Sequence, residues 1–133
     1  MLAKRLNAIK PSSTVVVSNL AEQLKREGRD VINLGEGEPD FDTPDHIKEA
    51  AVKAIADNRT RYTQVDGINE LKQAIVEKFA RENNIDCNAE NVTVGSGAKH
   101  VIYNAFMATI DPGEDVLIPA PYWVSYPDMV LLA

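Results

Sequence analysis

Apolar side chains recur at helical spacing in several stretches of the chain. Val16, Leu20 and Leu24 lie four residues apart on one face of a helix predicted from Ser13 to the residue before Gly28. A serine, Ser12 or Ser13, can cap such a helix, and glycine often ends one. The same spacing predicts further helices over residues 45–58, 68–83, 98–110 and 122–132. The side chains predicted to face inward on three of these helices are Ile47, Ala51, Ala54 and Ile55; Leu71, Ile75 and Phe79; and Val101, Ile102, Ala105 and Phe106.

Short apolar runs separate the helices. They occupy residues 31–34, 91–94 and 115–118 and are bounded by turn-forming residues, which predicts strands. From residue 91 the order is strand, helix, strand, helix, and this order is typical of a βαβ unit with parallel strands. The sequence therefore predicts an α/β fold in which helices cover a sheet.

Proline and glycine mark the connections between these elements. Residues 35–44 form a loop dense in turn formers, and Thr43 is predicted to cap the next helix with Pro44 at its first position. Residues 111–114 read Asp-Pro-Gly-Glu and predict a tight turn. The chain stops in the apolar run 129–133 after only two or three predicted strands, although a parallel sheet must be covered on both faces. We therefore expect it to be the front part of a longer protein.

Composition narrows the class of protein. The chain has 133 residues, with Lys+Arg 14 against Asp+Glu 20 and a net charge of −6, which disfavours nucleic acid or an anionic membrane as a partner. No apolar stretch approaches the about 18 residues of a membrane helix. The N-terminus has no apolar signal region, so the cytoplasm is the expected location. Cys87 is the only cysteine, which excludes an intrachain disulfide and a four-thiolate zinc site.

A glycine-rich turn, Gly95-Ser96-Gly97, stands between a predicted strand and a predicted helix. Backbone N–H groups and the positive dipole end make a helix N-terminus a binding site for anions such as phosphate. Ser96 can add a hydroxyl donor and Lys99 a positive charge. The spacing fits neither a Walker A motif nor a dinucleotide fingerprint. The alternative is that the glycines only let the helix meet the strand.

Aromatic residues follow the last predicted strand. Tyr122, Trp123 and Tyr126 lie between Pro121 and Pro127, at a strand's carboxyl end, where open α/β sheets bind ligands. A rigid aromatic wall suits stacking on a flat heteroaromatic ring. The alternative is that Trp123 packs between layers of the fold.

Acidic residues alternate along the loop that starts at Gly35. An EF-hand calcium loop needs glycine at its sixth position and glutamate at its twelfth, and neither is present here. Gly35 and Gly37 instead let backbone approach a ligand or another chain closely, unless the loop is simply a solvated acidic turn. His46 and His100 have no partner at metal-ligand spacing, so no metal site is predicted.

Together these stretches resemble the N-terminal third of class I pyridoxal-phosphate aminotransferases of fold type I. The similarity is greatest to the branch that contains bacterial aspartate and prephenate aminotransferases, and it covers the whole chain. It implies an N-terminal arm and small-domain segment over residues 1–44, followed by the beginning of the large cofactor-binding domain over residues 45–133. The strings that carry the resemblance are Lys10-Pro11-Ser12, Gly35 to Pro44, Arg61-Tyr62-Thr63 with Gly67, Gly95 to Lys99 and Pro119 to Pro127.

The resemblance also implies roles for residues at the cofactor, pyridoxal 5'-phosphate. Gly97, Ala98 and Lys99 would hold its phosphate largely through backbone N–H groups. Trp123 would stack on the pyridine ring. Tyr62 would reach the cofactor phosphate of the neighbouring subunit, because family active sites lie at the interface of a homodimer.

The resemblance implies that two further residues, in addition to Trp123, bind the substrate. Gly37 would contact the substrate α-carboxylate through its backbone, and Lys10 matches a lysine that recognises the distal carboxylate of dicarboxylic substrates. The Schiff-base lysine and the other catalytic groups of the family are absent from this chain, and Lys99 is not a substitute for the missing lysine. Because catalysis with this cofactor needs that lysine, the chain alone is expected to be inactive.

The resemblance implies that the full-length protein transfers the amino group of L-aspartate to 2-oxoglutarate, and that prephenate is a further candidate acceptor. The expected partners are amino acids and 2-oxoacids, with neither nucleic acid nor membrane. Three alternatives stay open: an alanine or aromatic aminotransferase of the same class, a free-standing phosphate- or nucleotide-binding module of Rossmann type, and a non-catalytic fragment.

Overall fold

A computed structural model describes residues 2–133. Helices are present in all five stretches where the sequence predicts them, and a π-helical turn at Phe79–Asn83 continues the third. Single 3-10 turns occupy Lys4–Ala8 and Ala89–Asn91. The α-helices are α1 Ser13–Arg26, α2 Asp45–Ala56, α3 Asn69–Lys78, α4 Ala98–Thr109 and α5 Ser125–Leu132.

The three predicted strands are not formed in the described part of the chain. Residues 31–34, 92–94 and 115–118 belong to no strand or helix, and Asn91 ends a 3-10 turn. The backbone of Val92 is nevertheless extended, with φ −111° and ψ 125°. A strand exists only when a neighbour pairs with it, and the apolar pattern does not supply that neighbour. The predicted sheet is therefore unconfirmed.

The chain divides into two compact units. One consists of the chain up to Pro39 together with Ile102–Ala133, and in it α5 packs against the 3-10 turn at Lys4–Ala8. The other is Asp40–Val101, in which α3 packs against the 3-10 turn at Ala89–Asn91. The domain boundary expected between residues 44 and 45 concerns the full-length protein and stays a prediction.

The end of α1 is built as predicted. Gly28 adopts φ +84°, and its N–H and that of Arg29 donate to the carbonyls of Lys25 and Leu24. This pair of bonds is a Schellman motif, which needs a residue in the left-handed region at the position of Gly28. At the other end Ser12 occupies the cap position, but its side chain makes no capping hydrogen bond.

The start of α2 differs from the prediction by one residue. Pro44, with ψ 140°, is the cap rather than the first helical residue, and its carbonyl accepts the N–H of Lys48 at 3.2 Å. Thr43 therefore lies outside the helix. Asn58 ends α2 in the left-handed region at φ +57°, as Gly28 does for α1.

Burial is sparse. The buried side chains among residues 2–133 are those of Ala21, Lys72, Val92 and Met129. No described helix packs against α2, so Ile47 and Ile55 are 50% and 67% exposed, and the prediction that they face inward is wrong here. Of the other positions predicted inward, Ala51, Leu71, Val101 and Ala105 are exposed, whereas Ala54, Ile75, Phe79, Ile102 and Phe106 are half-buried. No described helix is both long enough and apolar enough to cross a membrane.

Candidate functional site

The turn before α4 depends on two glycines for different reasons. Gly97 adopts φ +89°, and no atom lies within 4 Å of the point where a Cβ would stand. A Cβ on Gly95 would instead lie 2.7 Å from Cγ2 of Val101. Gly95 therefore permits close packing within the turn, while Gly97 supplies a left-handed conformation and leaves open space beside the helix N-terminus.

The imidazole of His100 folds back onto this turn. Its Nδ1 accepts the N–H of Ser96 at 2.9 Å. A ring nitrogen accepts a hydrogen bond only where it carries no proton, so this contact uses the bare Nδ1 lone pair. The sequence marked His100 only as a helix-end histidine without a metal partner. The hydrogen bond shows that the ring also holds the turn. In the sequence, this contact is indicated only by the position of His100 four residues after Ser96.

The N-terminus of α4 has the properties of an anion site. Its first helical hydrogen bond runs from the N–H of Val101 to the carbonyl of Gly97 at 3.3 Å. The N–H groups of residues 98–100 therefore lie in the first turn, before the series of helical hydrogen bonds begins. The first turn holds no acidic residue, and Lys99 adds a positive charge. Because the dipole end is also positive, a dianionic phosphate in the open space beside Gly97 fits the residues present.

The loop between α2 and α3 is tied to the segment that enters this turn. The carbonyl of Asp66 accepts the N–H of Val94 at 2.9 Å. Gly67, at φ +112°, packs so closely that a Cβ there would lie 2.7 Å from Cγ2 of Val94. Tyr62, in the same loop, is fully exposed. The loop that carries Tyr62 is thus anchored by its last residues, next to the glycine-rich turn.

An ion pair between a buried lysine and a half-exposed aspartate completes this anchor. Lys72 on α3 is 5% exposed, and its Nζ bonds to Oδ2 of Asp66. This hydrogen bond from Lys72 is the main reason why the pKa of Asp66 lies below its ordinary value. Sequence reasoning missed Lys72, because it predicted only the neighbouring apolar positions of the helix to face inward.

The other unit contains Lys10, Gly37 and Trp123. The Trp123 side chain is 42% exposed rather than packed in a core, and its carbonyl accepts the N–H of Tyr126 at 3.0 Å as α5 begins. Nothing lies within 4 Å of a Cβ placed on Gly37. Lys10 lines an open cavity of about 250 Å³, which brings it next to the segment that follows Trp123. The cavity is also lined by Pro11, Ser12, Ser13, Val124, Ser125 and Asp128.

The predicted site residues thus fall into two groups. Their assembly into one site stays a prediction, as do their individual roles. Tyr62, Gly97, Ala98 and Lys99 lie in the unit Asp40–Val101, and Lys10, Gly37 and Trp123 lie in the other unit.

Among residues 2–133, no three His, Cys, Asp or Glu side chains form a group that could hold a metal ion.

Comparison with known sequences gives consistent matches. The profile of the family described as aminotransferase class I and II matches residues 29–133. A probable aspartate/prephenate aminotransferase of Rickettsia bellii is 62% identical over 133 residues, and an aspartate/prephenate aminotransferase of Cereibacter sphaeroides is 61% identical over 132 residues. These alignments cover 100% and 99% of this chain but 33% of each relative. The chain therefore spans about a third of the length of the curated relatives it matches.

Solved structures match the backbone as well. The aspartate aminotransferase from Thermus thermophilus with maleate superposes with a TM-score of 0.95 at 48% identity, over 99% of this chain and 35% of that one. The aspartate aminotransferase from Rhizobium meliloti gives a TM-score of 0.91 at 49% identity, over 99% of this chain and 33% of that one. The described backbone therefore follows the corresponding part of these fold type I enzymes.

Proposed function

The chain belongs to the aminotransferase class I and II family, and on that premise we propose that the full-length protein is a pyridoxal-phosphate-dependent aminotransferase whose cofactor phosphate is held by this chain. The observation that carries the proposal is the turn before α4. It combines a left-handed Gly97, open space beside it, and a helix N-terminus without an acidic residue. This combination suits a phosphate dianion.

The proposal assigns the remaining roles as follows. The N–H groups of Ala98 and Lys99 bind the phosphate, and that of Gly97, which donates to the carbonyl of Gly95 at 3.0 Å in this structure, turns from that carbonyl to join them. The half-exposed indole of Trp123 stacks on the pyridine ring. Tyr62, which projects fully into solvent, reaches the phosphate of the neighbouring subunit in a homodimer. When bound, the cofactor supplies the electron-withdrawing ring that lets an amino group pass between two carbon skeletons.

The substrates proposed are L-aspartate and 2-oxoglutarate, with prephenate as a further acceptor. The names of the relatives from Rickettsia bellii and Cereibacter sphaeroides support this pair of activities. Lys10 supports a dicarboxylic substrate, because this cationic residue lines an open cavity beside the segment that follows Trp123. No atom lies within 4 Å of the point where a Cβ on Gly37 would stand, which leaves room for its backbone to contact the α-carboxylate.

The proposed enzyme acts in the cytoplasm in amino-acid biosynthesis, and its catalytic lysine lies outside this chain. We test the proposal by assaying the full-length protein with cofactor, L-aspartate and 2-oxoglutarate, and by repeating the assay with prephenate as the acceptor. The 133-residue chain serves as the control and is expected to give no turnover. Full-length protein that binds the cofactor but transfers no amino group from any amino acid would contradict the proposal.

A further inference from the structure

Lys72 is the one buried charged side chain among residues 2–133. Its side chain is 7% exposed, whereas that of its partner Asp66 is 45% exposed. An ammonium group taken out of water is costly unless a counter-charge accompanies it. If the loop moved so that Asp66 turned into solvent, Lys72 would lose the only ion-pair partner that the described residues give it. The buried lysine therefore favours one position of the loop that contains Asp66.

That loop position has a consequence at the glycine-rich turn. The side chain of Asp66 pairs with Lys72, and its backbone carbonyl accepts the N–H of Val94. One residue therefore links α3 to the segment before Gly95. Gly67 closes the same junction, because its backbone lies directly against the Val94 side chain. The chain from Val94 to the first turn of α4 contains only Gly95, Ser96 and Gly97. A shift of Val94 is thus transmitted to the anion-binding N–H groups.

We propose that Lys72 is a positioning residue for the cofactor phosphate, acting through Asp66. It holds the segment that enters the turn before α4, and by the same bond it holds the end of the loop that carries Tyr62. One ion pair therefore positions both the turn and the loop, which are the two elements proposed to contact the phosphate. The inference rests on the proposed function, since it takes the turn to be the phosphate site.

The test compares pyridoxal phosphate with pyridoxal, which lacks the phosphate. Equilibrium dissociation constants of both are measured for the full-length apoenzyme and its variants. In Lys72→Met the preference for the phosphorylated form should fall about tenfold, because displacement of positioned groups by a fraction of an ångström is costly. Lys72→Arg, which can still pair with Asp66, should restore most of the preference. A general loss of stability would weaken the binding of both ligands by the same factor and leave the preference unchanged.

Asp66→Asn separates positioning from direct attraction of the phosphate by the lysine charge. If the ammonium acted on the phosphate directly, this variant would keep or raise the affinity for pyridoxal phosphate. Positioning predicts that the affinity falls, since the counter-charge that fixes the loop is gone. Hydrogen exchange at the Val94 amide is measured in the same protein and should become faster than in the unaltered enzyme. This readout does not depend on activity and also serves if Lys72→Met fails to fold.

The outcomes are distinct. An unaltered apoenzyme that binds both ligands equally would refute the proposed phosphate site itself. An unaltered enzyme that prefers pyridoxal phosphate, with Lys72→Met or Asp66→Asn variants that keep that preference and the Val94 exchange rate, would overturn the role of Lys72 alone.

Discussion

The structural role of a single residue can be predicted where its residue type alone favours one backbone conformation. The sequence predicts that Gly28 ends one helix and that Gly97 precedes another, and both adopt positive φ. Lys72 and His100 were not recognised as contributors to the site, because their importance comes from one contact each, with Asp66 and with the N–H of Ser96. Such contacts depend on where two segments meet, which spacing along one helix does not reveal.

Lys10 is the residue on which the choice of substrate depends most. If its ammonium binds the distal carboxylate, Lys10→Ala should raise KM for L-aspartate about tenfold, as expected for loss of a charged hydrogen bond. The KM for L-alanine, which has no distal carboxylate, should stay the same. Steady-state kinetics of the full-length enzyme measures both.

Lys4→Ala provides the matched control for this variant. Lys4 is an exposed lysine in the neighbouring 3-10 turn and does not line the cavity. Its removal should leave both KM values unchanged. Equal increases for aspartate and alanine in Lys10→Ala would show that Lys10 does not select dicarboxylic substrates.

At the scale of elements, helices and strands differ in how much their own sequence determines. All five predicted helices form, because each closes its hydrogen bonds within one segment. The three predicted strands do not, because their partners must come from elsewhere. The N–H of Val94 shows the difference directly, since it bonds to a loop carbonyl of Asp66 instead of a neighbouring strand.

The junction between α3 and its preceding loop should respond to acid. Lys72 lowers the pKa of Asp66 in the folded protein, so the charged carboxylate stabilises the fold. That contribution is present above the unfolded-state pKa of about 3.9 and is lost as pH falls through the lower folded-state pKa. Urea midpoints measured between about pH 5 and pH 2 should therefore fall less steeply for Asp66→Asn than for the unaltered protein.

Other carboxylates titrate over the same range and set the background for this measurement. Glu82 also has a lowered pKa, mainly through its hydrogen bond with Arg81, and it remains in the Asp66→Asn variant. Only the difference between the two proteins reports on Asp66. Parallel pH profiles would mean that the pair with Lys72 contributes nothing to stability.

For the molecule as a whole, the exposed apolar side chains are the main clue to what surrounds this chain. Leu34 and Leu117, in two segments predicted as strands, are 90% and 94% exposed. Apolar surface of this kind is typical of interaction sites. We predict that these segments pair into a sheet in the full-length enzyme, which is about three times as long in the curated relatives.

Leu117→Lys tests this prediction. In the full-length enzyme the substitution should lower the free energy of unfolding by about 3 kcal/mol or more, because it buries an unpaired charge. Val65→Lys is the matched control, since Val65 is equally exposed but lies in a loop. Denaturant unfolding of both variants gives the comparison. Equal stability of the two would indicate that residue 117 remains in solvent and that the predicted sheet does not include it.

In the proposed enzyme, backbone N–H groups at the start of α4 hold the cofactor phosphate. Ala98→Pro removes one of these donors at the first helical position, where proline is tolerated structurally. Asn69→Pro makes the same change at the first position of α3 and serves as the control.

The dissociation constant of pyridoxal phosphate is measured with the full-length apoenzyme and with both variants. Ala98→Pro should raise it about tenfold or more, the value of a hydrogen bond to a charged group, while Asn69→Pro should leave it unchanged. Equal affinity in Ala98→Pro and the unaltered enzyme, with both folded, would contradict the claim.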